Sequence, residues 1–189
     1  RQQREQPDAD VAAGHVVLLR AVNVGGAKLP MARLREIAEG LGATDVSTYI
    51  ASGNLLCNPP DPSDDFDRAL EQAVLDEFGF FREVISRTPD ALSQALAAYP
   101  FGEASHGHIY FLTGRPEAAA AADFCAQDFG GGERLRVIDR DLHIDYPGGA
   151  GTTKLTPQKI AKGLGFTGTG RNLRTTAKLI ELAGGGGSR

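Results

Sequence analysis

Apolar positions recur along the chain at two spacings, and each change of spacing marks a new element. His15–Arg20 (HVVLLR) is apolar on both faces, as a central strand requires. After the loop Ala21–Leu29, Pro30 opens a helix with one apolar stripe: Met31, Leu34, Ile37, Ala38 and Leu41. Gly42 ends it. Asp45–Ile50 reads as a strand, Ser52-Gly53-Asn54 as a turn and Leu55–Asn58 as the returning strand. Beyond the structure-breaking stretch Asn58–Ser63, a helix carries Phe66, Ala69, Leu70, Ala73, Val74 and Phe78 on one side. Phe80–Arg87 is the next strand, and Thr88-Pro89-Asp90 caps a short helix through Tyr99. The order β-α-β-β-α-β predicts an α+β, ferredoxin-like subdomain over residues 15–100, an antiparallel sheet with helices on one face.

The second half is partly similar. His106–Thr113 reads as a strand and Pro116–Gln127 as a helix. Leu135–Asp139 and Leu142–Tyr146 form a hairpin, followed by the glycine loop Gly148–Gly151. Thr156-Pro157 caps a helix holding Ile160, Ala161 and Leu164, and a last helix runs from about Asn172 to Ala183. A second, related α+β subdomain over 101–183 with basic C-terminal helices is expected, without a sequence repeat. Residues 1–14 read as a disordered lead-in and 184–189 as a disordered glycine-rich tail.

With 41% hydrophobic residues the chain can build a core, but no run approaches the roughly 20 apolar residues of a membrane helix. The polar N-terminus lacks a signal peptide's apolar stretch, so a cytoplasmic protein with no membrane partner is expected. Cys57 and Cys125 stand outside any CxxC pair, and the His106/His108 pair has no third ligand in view. Neither a metal site nor a cofactor is therefore expected. The net charge of −4 hides an asymmetry. From Ala150 onward seven Lys or Arg accompany one acid, a net +6 against −10 in the rest. Such a tail either meets an anionic partner or neutralises the acidic body.

Three groups of residues could carry chemistry. Arg20 and the loop holding Asn23, Gly25 and Gly26 lie between a strand and a helix, where backbone N–H groups can cradle an anion. The same glycines also serve a plain turn. In the hairpin, Ser52 and Asn54 flank Gly53, with Gly and Asn expected to supply positive φ. The hairpin is expected at the sheet end opposite the first loop, which would make these separate sites. The third group is Lys154 with Arg171, Asn172, Arg174 and Lys178. On one helix Arg171, Arg174 and Lys178 would share a face suited to phosphate, with Asn172 as its cap. The alternative is a solvated face. GxSxG and HExxH are absent, so no catalytic residue is assigned.

Leu19-Arg20-Ala21-Val22-Asn23-Val24-Gly25-Gly26, the following Leu29–Leu34 and the string Thr48–Asn54 resemble the domain of unknown function 1697 family, a group of uncharacterised bacterial proteins. Lys154-Leu155-Thr156, Arg171-Asn172 and Ala177-Lys178-Leu179 resemble that family's end, although Leu173 stands where an aromatic residue is common. The resemblance implies an α+β fold of ferredoxin-like units and brings no activity with it. Three functions remain open: a binding module for a phosphate-bearing small molecule or nucleic acid, a small-molecule enzyme with a site between the subdomains, and a structural or protein-partner module. Nucleic-acid binding is opposed by the net acidity and by 7% aromatic content without Trp. The residues leave the oligomeric state open.

Overall fold

In the computed structural model, which describes residues 14–24, 26–103 and 106–184, the first strand is His15–Leu19 (β1). Its Val16, Val17, Leu18 and Leu19 are all fully buried, which explains the unbroken apolar run. The helix Met31–Gly40 (α1), the strands Thr44–Thr48 (β2) and Asn54–Asn58 (β3), the helix Ser63–Phe78 (α2) and the strand Val84–Arg87 (β4) follow. The strand expected from Phe80 starts only at Val84, and Phe80 instead sets its ring 6.0 Å from that of Phe78. The sheet order is β2-β3-β1-β4 with every pair antiparallel, the split βαβ connectivity. Val17, Leu19, Leu55 and Cys57 form the sheet side of a core, against Leu34 of α1 and Phe66 and Leu70 of α2.

A helix, Pro89–Ala98 (α3), leads to a second set: Gly107–Leu112 (β5), Ala118–Cys125 (α4), Arg134–Ile138 (β6), Asp141–Asp145 (β7), Pro157–Leu164 (α5) and Gly168–Asn172 (β8). Its sheet order, β6-β7-β5-β8, repeats that of the first. Here Tyr110, Leu112, Leu142 and Ile144 pack against Phe124 of α4 and Ile160 and Leu164 of α5. The last helix is Leu173–Ala183 (α6).

Sequence periodicity did not show β8, because GTGRN contains no apolar residue. Its glycines are its packing signal. A Cβ on Gly168 would sit 2.7 Å from Cε1 of Tyr110, and one on Gly170 would sit 3.2 Å from the same ring's Cδ2. The bare strand lets the tyrosine ring lie flat over it while its backbone pairs with β5.

The described chain divides into two compact units: residues 14–91 with 177–184, and residues 92–176. Among the described residues no helix is long and apolar enough to cross a membrane. Apart from Gly14 and Gly184, the expected lead-in and tail lie outside the described residues.

Candidate functional site

The first unit brings its two motif loops together. Leu19 N donates to Gly53 O at 2.9 Å, and Arg20 N donates to Glu83 O at 3.0 Å. The loop after β1, the β2–β3 hairpin and the segment before β4 therefore share one end of the sheet. This corrects the placement of the hairpin at the opposite end. Because β3 runs antiparallel between β1 and β2, those two strands are parallel, and the chain leaves both at the same end.

Asn23 joins the two loops. It occupies the left-handed region (φ 56°), which asparagine tolerates better than most residues. Its Oδ1 accepts from Leu29 N at 2.8 Å, and its Nδ2 donates to Leu29 O at 3.0 Å and across to Ala51 O. The N–H groups of Asn23, Ala27, Lys28 and Leu29 are all bonded within the loop rather than turned toward an anion. Asn54, fully buried, donates from Nδ2 to Tyr49 O at 3.0 Å and to Ser52 Oγ at 2.9 Å. Positive φ in the hairpin belongs to Gly53 (87°) and Ile50 (49°), not to Asn54 as expected. Asn54 is already in the strand and shapes the turn through its side chain. A Cβ on Gly53 would meet Cγ2 of Val22 at 2.6 Å, so glycine is needed there for the approach of the loops as well as for the turn. Arg20 pairs with Glu83 at 3.1 Å. Gly26 has open space around it, and Gly25 lies outside the described residues.

The basic C-terminal residues do not form the expected face. Arg171 lies on β8, not on α6, and so cannot share a helical stripe with Arg174 and Lys178. It is 8% exposed, and its Nη1 donates to Thr169 Oγ1 at 2.6 Å and to Gly170 O at 2.9 Å. Burial pushes its guanidinium down to about 10, which leaves it charged at neutral pH. Asn172 does cap α6, accepting from Thr175 N at 2.7 Å. On α6, Arg174 is exposed, and Lys178 lies 3.4 Å from Glu181.

Arg171 belongs to a cross-strand row, Arg136–His143–Ile109–Arg171, on the sheet face away from α4 and α5. His143 is fully buried, and neither ring nitrogen has a hydrogen-bond partner among the described residues. Burial first, and then the charge of Arg136, push it down to about 4. Tyr99 covers it at a ring distance of 5.8 Å.

The second unit also holds an open groove between α4 and α5, of about 520 Å³. Phe124 and Phe129 form its aromatic wall, with centroids 5.3 Å apart. Lys159 and Lys162 stand on α5 at i, i+3 and so line the same side. Among the described residues neither lysine is ion-paired. Lys159 Nζ donates to Lys154 O at 2.9 Å and lies 6.0 Å from the Phe129 ring centre. Gln127 and Asp128 complete the far wall. Gly163 sets the depth, since a Cβ there would run into the Phe124 ring. Lys154 stands near Gly130, next in sequence to Phe129, so three basic residues of the C-terminal segment gather here. Sequence reasoning counted Lys159 and Lys162 only as charge. Their i, i+3 spacing was legible, but their pairing with aromatic residues 30 or more positions earlier was not.

The family described as "Protein of unknown function (DUF1697)" matches over residues 13–143. Among solved structures, the chain is similar to the conserved bacterial protein SP0830 from Streptococcus pneumoniae, with 20% identity and a TM-score of 0.65. That likeness covers 89% of this chain and 97% of the other, and it supports the fold alone. No curated protein matches.

Proposed function

The chain belongs to the DUF1697 family, and we propose that within this fold it acts as a binding protein for a phosphate-bearing small molecule, held in the groove between α4 and α5. One observation carries the reading: two lysines without an ion pair among the described residues and an aromatic wall line a single concavity of about 520 Å³. That volume falls within the range of small-molecule sites. Lys159 uses one of its three ammonium donors on Lys154 O and keeps two for a ligand. By contrast, in the first unit Asn23 bonds to the backbone of its own loop, Asn54 at the start of β3 bonds to Tyr49 O and Ser52 Oγ, and Arg20 is ion-paired.

Titration with inorganic pyrophosphate, followed by amide chemical shifts, tests the proposal. Shifts centred on residues 127–130 and 159–163 that vanish in the double variant Lys159→Ala/Lys162→Ala are expected. Shifts centred on the loops around Asn23 and Ser52 would move the site to the first unit, and no shifts at millimolar pyrophosphate would remove it. A nucleic-acid partner would instead show as salt-sensitive binding of oligonucleotides far tighter than pyrophosphate.

A further inference from the structure

The groove is lined by groups of three kinds, ammonium, carboxylate and aromatic, and this narrows the class of ligand. Lys159 and Lys162 line it from α5, and Gln127, Asp128 and Phe129 line it from the segment after α4, with Lys159 Nζ 6.0 Å from the Phe129 ring centre. Asp128 is fixed by its own turn, its Oδ1 accepting from Gly130 N at 2.8 Å. A carboxylate held in place repels phosphate and accepts N–H donors. A ligand that satisfies all three kinds of lining group carries an anionic group, N–H donors and a flat apolar face.

We infer that the groove takes a purine nucleotide, its base against Phe129 with an N–H edge toward Asp128 and its phosphates at Lys159 and Lys162. This rests on the phosphate-binding reading above. Stacking on an aromatic ring is available to any base, and the carboxylate then favours guanine, whose adjacent ring and exocyclic N–H groups suit two oxygens. The Lys159 ammonium, 6.0 Å from the ring centre, is at the outer limit of a cation–π contact and is free to turn to phosphate. A second depression of about 420 Å³ adjoins the first, sharing Lys162 and Gly163 and reaching Arg115. Lys162 therefore lines both depressions, and the second adds Arg115, which lies 3.8 Å from Asp139, and Glu117. A nucleoside diphosphate is the expected preference over a monophosphate.

Calorimetry on the full chain with GDP, GMP, UMP, ribose 5-phosphate and pyrophosphate tests this. GDP is expected to bind about tenfold more tightly than pyrophosphate, the size of one base–aromatic stack. Phe129→Leu, which keeps an apolar residue, should remove that advantage while leaving pyrophosphate binding intact. Asp128→Asn should narrow the gap between GMP and UMP. GDP binding no tighter than pyrophosphate would overturn the nucleotide inference while leaving the phosphate site standing. Binding of none of these compounds would overturn both. A short oligonucleotide binding more tightly than GDP would also overturn it, in favour of a nucleic-acid surface.

Discussion

At the end of its first strand, each unit makes the same pair of backbone bonds. In the first, Leu19 N donates to Gly53 O and Arg20 N to Glu83 O; in the second, Leu112 N donates to Arg140 O and Thr113 N to Thr167 O. The strand orders match as well. What differs is the chain hung on that junction. The first unit inserts the long loop 20–30 and a wide hairpin, and it must bond them internally through Asn23, Asn54 and Gly53. The second turns back through the short Asp139-Arg140 link. In the first unit Asn23 and Asn54 spend side-chain hydrogen bonds on holding these loops in shape. The second, with shorter connections here, carries its exposed lysines on a helix instead.

The comparison breaks first at Gly53. Gly53→Ala imposes positive φ on a side chain and drives a Cβ into Val22 and the Leu19 carbonyl. A loss of about 3 kcal/mol in urea unfolding is expected. Arg140→Ala, at the equivalent junction of the second unit, leaves the bond from Leu112 N to the Arg140 carbonyl in place and should cost less, about 1 kcal/mol. Equal losses would show that the two junctions carry the same strain.

The units should also answer pH in opposite directions. His143 is held near 4, below the 6.5 of an exposed histidine. As pH falls from 6.5 to about 4 the unfolded chain takes a proton that the folded chain refuses, so stability is lost, by about 3 kcal/mol at the lower end. Asp67, 6% exposed and accepting from Ser86 Oγ at 2.6 Å, is raised by burial to about 6 from an ordinary 3.8. Its folded form keeps the proton longer, so stability is lost as pH rises through the same window, by a similar amount. His15, lowered mainly by burial, opposes Asp67 within the first unit. His143→Phe should raise stability at pH 4.5 and leave a profile that declines toward neutral. Asp67→Asn should raise stability at pH 7 and leave one that declines toward acid. Amide exchange of β1 and of β5 at the two pH values reads each unit separately, and parallel profiles would refute the assignment.

Smaller effects sharpen the contrast. Asn23→Ala removes three side-chain bonds at a partly solvated loop and should cost about 2 kcal/mol, read as a lowered denaturation midpoint. Lys159→Ala/Lys162→Ala should change stability by less than about 0.5 kcal/mol, since both side chains are exposed, while abolishing pyrophosphate binding.

Most of the fold was legible because its strands and helices declare themselves by apolar period. His15–Leu19 and the stripes of α1 and α2 fall where the spacing put them, and Thr88 and Thr156 cap as expected, accepting from Ala91 N and Lys159 N. The one missed strand, β8, is the one whose packing depends on missing side chains. Missing it led to the mistaken helical face for Arg171, because a strand places i and i+2, rather than i and i+3, together. The shared end of the two motif loops followed from strand order and was inverted by a topological slip. The groove was not legible at all, since Phe124 and Lys159 meet only through the packing of α4 on α5 around Gly163.

The division of the chain has a consequence for its birth on the ribosome. The first unit joins residues 14–91 to residues 177–184, so its larger part emerges well before the helical segment that completes its core. Leu179 and Ala183, at 1% and 0% exposure, are core residues delivered only after the whole of the other unit has been made. At roughly 5–20 residues per second, the nascent N-terminal part waits several seconds for its final piece. The stretch 92–176, by contrast, is uninterrupted and has all its residues as soon as it has emerged.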